Sequence, residues 1–376
     1  MHLELTDEQE SFKETTARFI ATETPLTRVR DLYGSIDGFD RDWWRTAAEL
    51  GWTSLLVPES LGGGSLSGQP VTDALIVAEL IGRSVAPGPF IPTNLVAAAL
   101  AMAGDAHASL IAEILSGTTV AAWAHSESTG LWDVDSTTTT ARLEDDDVVL
   151  DGAKAYVEAA GSASHFLVTA RTGDGCTLVL VPAEASGVTV TRGRSVDFTR
   201  RFGRVDLAGV RVGADALIGV PGEASIAVDR LLQIAVALQC AQLIGVADRT
   251  LQVTLEYGAD RFAFGRPIVS FQALKHRIAE MTVKLEGSKA VTLQLAAAID
   301  SDEPDCDVLA SVAKAYVAEH CTDIVDDCVQ ITGGIGVTWE HDIHLYSRRA
   351  VVDRAVYGSP EEHKHRIMRH LEGAQT

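Results

Sequence analysis

The sequence lacks the features of several protein classes. It has no apolar run of about 18 residues or more, and Met1-His2-Leu3-Glu4-Leu5 lacks the basic and then apolar order of a secretory signal. We therefore predict a cytoplasmic protein that does not span a membrane. Its 5 cysteines form no Cys-x-x-Cys pair, which favours a reduced interior without a metal framework.

Positive charge is scarce. The chain has 31 Lys and Arg residues against 52 Asp and Glu residues, a formal net charge of -21. Nucleic acids and anionic membrane surfaces would be repelled by such a field. We therefore predict neither as a general partner. The pairs Arg200-Arg201 and Arg348-Arg349 are local exceptions, which we interpret as surface ion-pair sites.

Three stretches differ in their residue pattern. Residues 1–117 are typical of helices, with a capping signal at Thr6. Residues 118–212 change to short β-branched runs separated by acidic turns, which predicts a small β-barrel or sandwich. Helical spacing returns after Pro221-Gly222, so residues 213–376 are predicted to form a four-helix bundle.

Two segments carry the most specific chemistry, Arg261–Gln272 and Gln330–His341. Arg261 offers a forked cation that suits a pyrophosphate, and Gln272 and Gln330 offer amide donors and acceptors. Gly333-Gly334 allows close backbone approach to a bulky ligand. The alternative for the two glycines is a helix C-cap or a packing notch.

The two segments resemble the flavin-contacting segments of acyl-CoA dehydrogenases, FAD enzymes that desaturate acyl thioesters between Cα and Cβ. The order of helices, β-domain and helical bundle resembles that family over nearly the whole chain. The resemblance implies an α+β acyl-CoA dehydrogenase-like fold, FAD as cofactor, an acyl-CoA substrate, and electron-transfer flavoprotein or a similar acceptor. The residues it implies for FAD binding are Arg261, Phe264, Gln272, Gln330, Ile331, Gly333 and Gly334.

The catalytic base of this family does not match. The family carries a glutamate either on the last loop or on the first long helix of the bundle, and those positions are Tyr357 and Gln242 here. A phenol with a pKa near 10 and a carboxamide are both poor bases at neutral pH. No catalytic residue is therefore assigned; Glu361 and Glu158 are the remaining candidates, although Glu361 and Glu362 also read as carboxylates in a first helical turn.

The middle domain also departs from the family. The loop at 124–133 replaces the usual Thr-Glu-Pro-x-x-Gly-Ser-Asp, and Tyr156-Val157-Glu158 replaces the second flavin strand, Trp-Ile-Thr or Trp-Ile-Ser. A carboxylate at Glu158 would repel an anionic reduced flavin unless it is protonated or turned away.

The favoured interpretation is a non-catalytic subunit that completes the FAD site of a glutamate-bearing partner. It matches in kind the heterotetrameric acyl-CoA dehydrogenases of actinobacterial steroid side-chain breakdown, which suggests a bulky or steroid-derived acyl-CoA. The alternatives are a self-sufficient homotetrameric dehydrogenase with an unrecognised base, and a non-enzymatic acyl-CoA-binding or scaffold protein.

Two groups of histidines receive other interpretations. His341-x-x-His344 has no third ligand nearby in the sequence, so no metal site is predicted. The C-terminal segment is predicted to be a helix whose basic residues form a solvated face: His363, Lys364, His365, Arg366, Arg369 and His370.

Overall fold

The computed structural model describes residues 5–173 and 175–373. The first helices are α1 (Asp7–Glu23), α2 (Leu26–Asp31), α3 (Arg41–Glu49), α4 (Pro70–Ser84), α5 (Phe90–Met102) and α6 (Ala108–Leu115). The strands that follow are β1 (Ala121–Ala124), β2 (Thr140–Glu144), β3 (Asp147–Glu158), β4 (His165–Thr172), β5 (Gly175–Pro182), β6 (Val188–Arg192), β7 (Phe202–Gly213) and β8 (Leu217–Ile218). The last elements are α7 (Ser225–Asp260), β9 (Phe262–Ala263), β10 (Arg266–Pro267), α8 (Gln272–Asp300), α9 (Cys306–Thr332), α10 (Ile343–Ala355) and α11 (Pro360–Gly373). This order confirms the predicted α+β fold class.

The chain forms two compact units that do not follow sequence order. The helical unit contains the chain up to Arg30, Leu75–Ala86 and the chain from Val236 onwards. The β-unit contains Asp31–Ala74 and Pro87–Ala235. The boundaries of the three domains predicted from the sequence, 1–117, 118–212 and 213–376, therefore stay predictions.

The β-unit is built on one 8-stranded sheet. Its main path runs β6-β7-β3-β2-β4-β5-β8, and β1 pairs with β4. Strands β2 and β3 form an antiparallel hairpin whose turn is Asp145-Asp146, and Asp145 adopts a left-handed φ of 53°. The pairing of β3 with β7 shifts register twice, between Leu150 and Gly152 and between Lys154 and Val157. The second irregularity bends the end of β3, where the candidate site lies.

Capping explains where the first helix begins. The Thr6 hydroxyl accepts a hydrogen bond from the Gln9 backbone N–H at 3.2 Å, and the Gln9 side chain accepts one from the Thr6 N–H at 2.9 Å. This reciprocal arrangement satisfies two of the backbone donors that a helix start leaves without partners. It confirms the predicted start of the helix.

Close glycine contacts join α4 to α7 within the helical unit. A Cβ added at Gly82 would lie 1.9 Å from the carbonyl oxygen of Gln242, and one added at Gly245 would lie 2.0 Å from that of Glu79. The two backbones therefore touch directly at two points. Within the described residues α7 alone is long and apolar enough to cross a membrane, but 89% of its apolar window is buried in the protein, as in a core helix.

Candidate functional site

The residues of the two sequence segments gather at one end of the helical bundle. Helices α8 and α9 run antiparallel, because Arg277 pairs with Asp327 at 2.5 Å and Lys284 pairs with Asp323 at 3.2 Å. Gln272, the first residue of α8, and Gln330, near the end of α9, therefore lie at the same end. We call this set the bundle-end cluster; its members are Arg261, Phe264, Gln272, Gln330, Ile331, Gly333 and Gly334.

A short hairpin presents an aromatic ring in this cluster. Strands β9 and β10 are joined by Phe264-Gly265, and both residues have left-handed φ values, 53° and 81°. The Phe264 side chain is 95% exposed. The hairpin is held at its base, where the Arg266 guanidinium lies 4.0 Å from the centre of the Phe271 ring. A non-glycine residue in this conformation and so fully exposed is typical of a contact site.

The polar side chains of the bundle-end cluster remain available for a ligand. Arg261, Gln272 and Gln330 are all exposed. Among residues 5–173 and 175–373, none of the three side chains makes a hydrogen bond or an ion pair. A guanidinium and two carboxamides could thus bind phosphate oxygens and ring edges without breaking internal contacts.

Gly333 and Gly334 differ in the structural feature that explains a glycine at each position. Gly333 caps α9 with φ 72° and ψ -151°, a conformation open essentially to glycine alone, and its N–H bonds to the Val329 carbonyl. The C-cap alternative is therefore confirmed for Gly333. Gly334 has no left-handed φ, and an added Cβ there would meet no atom within 4 Å. Open space in front of bare backbone fits the close approach of a flat ligand.

The last loop holds Tyr357 in a fixed and buried position. Tyr357 has a left-handed φ of 63°, and its carbonyl accepts a hydrogen bond from His363 Nε2 at 2.9 Å. His363 Nδ1 lies 3.3 Å from the Ser311 hydroxyl. Burial lowers the pKa of His363 to about 3, so the ring is neutral. A Cβ on Gly358 would lie 2.7 Å from His363 Nε2, which explains the glycine.

The prediction of a solvated basic face on α11 is wrong for His363, which is 1% exposed. The other basic side chains of that helix are exposed or half-buried. The sequence signal for burial was weak, since one histidine among five other basic residues gives no apolar periodicity. The prediction of surface ion-pair sites is likewise wrong for Arg200 and Arg349, both of which are buried.

Gln242 occupies the second family position for a base. It is 4% exposed, on the part of α7 that touches Gly82. Its side-chain Oε1 has no hydrogen-bond partner among the described residues. A carboxamide oxygen buried in this way can accept a hydrogen bond from a ligand or a water, but it cannot serve as a proton acceptor near pH 7.

Glu361 and Glu362 both make contacts within the C-terminal part of the chain. Glu361 is exposed and pairs with Arg354 at 2.9 Å, and hydrogen bonds from its own backbone N–H and from Arg354 lower its pKa. Glu362 Oε2 accepts from the Ser359 N–H at 2.6 Å while the Ser359 hydroxyl accepts from the Glu362 N–H at 3.2 Å. Both lie in the first turn of α11, as expected.

In the β-unit, Glu158 forms a buried ion pair. Its two carboxylate oxygens accept from Arg200 Nε at 2.7 Å and from Arg200 Nη2 at 2.5 Å. Glu158 is 7% exposed and Arg200 is 3% exposed. Tyr156 and Ala159, on either side, have left-handed φ values of 56° and 60°. The repulsion expected between Glu158 and a flavin is thus removed by a cation that the sequence did not reveal, 42 residues away along the chain.

A second buried ion pair anchors the loop at 124–133. Lys154 Nζ lies 2.8 Å from Glu127 Oε1 and 2.9 Å from the His125 carbonyl. Burial alone would raise the pKa of Glu127, but hydrogen bonds from Lys154 and Thr138 and the charge of Lys154 lower it to about 2. Glu127 is therefore an anion held by the β-unit itself.

Aromatic rings pack beside this pair. The His125 ring lies between Trp123, with centroids 4.6 Å apart, and Trp132, with centroids 6.0 Å apart and planes at 25°. Its Nε2 donates to the Trp132 carbonyl at 3.2 Å, and its Nδ1 accepts from the Thr169 hydroxyl at 3.1 Å. Trp132 is buried, so the loop folds onto the sheet.

Metal-ligating side chains are dispersed. Within the described part of the chain no group of three or more His, Cys, Asp or Glu residues is placed to hold a metal ion. The His344 ring stacks on Trp339, with centroids 4.8 Å apart and planes at 26°.

Comparison with known proteins identifies the family. Models of the acyl-CoA dehydrogenase N-terminal, middle and C-terminal domains match residues 6–117, 122–203 and 226–372. The chain is 30% identical over 367 residues to acyl-CoA dehydrogenase IpdE2 of Mycobacterium tuberculosis, covering 97% of this chain and 96% of that protein.

Two solved structures share the fold and more than a quarter of the sequence. One is a variant of the Tcur3481–Tcur3483 steroid acyl-CoA dehydrogenase, with 28% identity, a TM-score of 0.89, and 98% and 99% of the two chains covered. The other is the ChsE4–ChsE5 complex of Mycobacterium tuberculosis, with 27% identity, a TM-score of 0.89, and 99% of both chains covered. The chain belongs to the acyl-CoA dehydrogenase family of FAD-dependent oxidoreductases.

Proposed function

We propose that this chain is the non-catalytic subunit of a heteromeric acyl-CoA dehydrogenase, and that its bundle-end cluster completes an FAD site on a glutamate-bearing partner chain. The observation that carries the proposal is a contrast. The bundle-end cluster is exposed and makes no competing polar contacts, whereas both family positions for the base hold residues that cannot take a proton at neutral pH, Tyr357 and Gln242.

The chemistry of the bundle-end cluster supports a role in binding. FAD, when bound, supplies the acceptor for the hydride that leaves the substrate Cβ. Arg261 would bind the pyrophosphate through two parallel N–H donors, and the amides of Gln272 and Gln330 would bind polar edges. Phe264 would cover an apolar ring face, and Gly333 and Gly334 would let the backbone approach it.

The partner would have to supply the base. In this family a carboxylate removes the α-proton, and burial raises its pKa towards working pH. Glu361 has the opposite environment, since it is exposed and its pKa is lowered. Glu158 is held at both oxygens by Arg200. Neither side chain suits proton abstraction, which argues against a self-sufficient dehydrogenase.

The relatives support a two-chain assembly and a substrate class. The ChsE4–ChsE5 structure is described as a complex, and the Tcur3481–Tcur3483 enzyme is described as a steroid acyl-CoA dehydrogenase. We extend both features to this chain and propose a heteromer that acts on a bulky or steroid-derived acyl-CoA. The proposed electron acceptor is electron-transfer flavoprotein or a similar protein. We also place it in the cytoplasm.

The test compares the chain alone with the chain co-expressed with acyl-CoA dehydrogenase subunits that carry the base glutamate. We expect dye reduction with an acyl-CoA only from a co-purified complex. Glu361→Gln in that complex should leave turnover unchanged, while Glu→Gln at the partner's base should abolish it. Robust turnover by the purified single chain would show that the chain is self-sufficient and refute the proposal.

A further inference from the structure

The end of β3 and the loop at 124–133 do not fit a flavin ring, although the family places the ring against them. The reason is the packing of the side chains at this strand end and not their charge. Glu158 and Arg200 lie side by side at this point, both almost fully buried, and the Arg200 guanidinium also lies 5.4 Å from the centre of the Phe202 ring. The pair is therefore packed into the β-unit and does not project from it.

Little space remains beside this pair. The cavity that adjoins Glu158, Ala159 and Arg200 has about 10 Å³ open to a water molecule, which is room for about one water. Sites for cofactors and similar ligands span roughly 300–1,000 Å³. A flavin ring therefore does not fit into this cavity while the ion pair is in place.

The backbone holds the pair in this position. Tyr156 and Ala159 flank Glu158 with left-handed φ values, and the register shift between Lys154 and Val157 turns the strand end. The Arg200 side is fixed by the preceding loop, where Asp197 Oδ1 accepts from the Thr199 N–H at 2.8 Å and from its hydroxyl at 2.6 Å. Both partners therefore belong to fixed segments.

The first loop adds a second obstruction. The family has a serine before the aspartate of this loop, whereas this chain has Trp132 before Asp133. Trp132 is buried against His125, and the hydrogen bond from His125 Nε2 to its carbonyl fixes the loop. A buried indole thus precedes the aspartate of this loop, where the family motif has a small hydroxyl residue.

We propose that the Glu158–Arg200 pair and Trp132 close the flavin-ring position of this chain's own β-unit, so that the chain shares only a flavin whose ring lies on another chain. The inference rests on the proposed function, in which the bundle-end cluster of this chain completes an FAD site on the partner chain. It adds a stoichiometry, one FAD for every two chains of a complex with equal numbers of each subunit, and it names the side chains responsible.

The experiment measures FAD binding directly. The wild-type chain is titrated with FAD by flavin fluorescence, beside an opening variant, Trp132→Ser/Glu158→Thr/Arg200→Thr, and a control variant, Glu144→Thr/Arg211→Thr. The control removes an exposed ion pair of the same chemistry between β2 and β7, with Nη2 to Oε2 at 2.5 Å. We expect the opening variant to bind FAD at least about tenfold more tightly than the wild type and the control.

Two results would overturn the inference. One is a wild-type chain that binds about one FAD per chain, alone or in the complex. The other is an opening variant with wild-type circular dichroism and assembly that binds FAD no more tightly. If the opening variant does not fold, the ratio of FAD to chain in the wild-type complex decides alone: about one per two chains is expected. A complex with partner-dependent turnover and one FAD per chain would refute this inference while the proposed function stood.

Discussion

Replacing Lys154 with methionine tests the buried ion pair that anchors the loop at 124–133. Methionine keeps the length of the side chain and removes its charge and its donors. The substitution removes the contacts of Nζ to Glu127 Oε1 and to the His125 carbonyl. Glu127 would then be a buried carboxylate without its cation, although the backbone N–H groups of Thr138 and Thr139 still donate to it at 2.9 Å and the hydroxyls of the same two residues donate as well.

The loss of stability caused by Lys154→Met is set by the Glu127 carboxylate that remains buried. Removing one partner of a buried pair costs about 3–5 kcal/mol, and the four remaining donors of Thr138 and Thr139 place Lys154→Met at the lower end. In a domain of roughly 150–250 residues each kcal/mol shifts the Tm by about 2–4 °C, so the Tm should fall by roughly 6–12 °C. The double variant Glu127→Gln/Lys154→Met leaves no charge and should be more stable than the single variant.

The dependence on pH gives an independent check. The folded-state pKa of Glu127, about 2, lies below the ordinary 4.5, so its contribution is present above pH 4.5 and is lost as the pH falls towards 2. The difference corresponds to roughly 3 kcal/mol. Burial lowers the pKa of Lys154 in the same pair and offsets part of this gain. The net contribution of the pair is therefore smaller than that of Glu127 taken alone.

Thermal unfolding followed by intrinsic fluorescence at pH 7 and pH 4 measures these effects. The loss of Tm caused by Lys154→Met should be smaller at pH 4, because without Lys154 burial raises the pKa of Glu127 and protonation in the variant then removes the unpaired charge. An equal loss at both pH values, or a double variant no more stable than the single variant, would refute the reasoning.

Four further substitutions separate structure from binding. Gly82→Ala should lower the free energy of unfolding by about 1–3 kcal/mol or more, because its Cβ meets the Gln242 carbonyl. Gly334→Ala should leave the Tm nearly unchanged but weaken FAD binding by the complex. The reverse pattern would contradict the structural role given to Gly82 and the binding role given to Gly334. Arg261→Ala should also leave the Tm unchanged and weaken FAD binding about tenfold or more, seen by fluorescence titration. The pKa of His363 lies near 3, below its ordinary 6.5, so stability falls as the pH drops from 6.5 towards 3; His363→Gln should flatten this dependence in thermal unfolding, and an unchanged slope would rule out His363 as its source.

The sequence predicted the fold class, because helical spacing and β-branched runs are local signals. Helical spacing after Pro221-Gly222 predicted the helical C-terminal part that contains α7, α8 and α9, and the capping residue Thr6 predicted the start of α1. The sequence could not predict the backbone at Phe264, since a left-handed non-glycine residue follows from the hairpin around it and not from its own preference.

The sequence also failed to predict the ion pairs of the β-unit, and the reason there is different. Glu158 and Arg200 are joined by the pairing of β3 with β7, and Glu127 and Lys154 by the folding of a loop onto β3. Each partner alone reads as an ordinary surface charge. Only the three-dimensional register brings them together, and burial then makes each of them dependent on the other.

The close contact of Gly82 with Gln242 is made by the backbone of residue 242 and not by its side chain. The position of α7 there is set by two glycines and two carbonyl groups, and the side chain of Gln242 takes no part in it. Exchanging its amide nitrogen for oxygen, Gln242→Glu, would place a carboxyl group in a buried position, where burial raises the pKa of the acid, and would leave the atoms of that backbone contact unchanged. The resemblance to the family puts one of its two base positions at residue 242, and Gln242 differs from the glutamate of a base-bearing chain there by one atom.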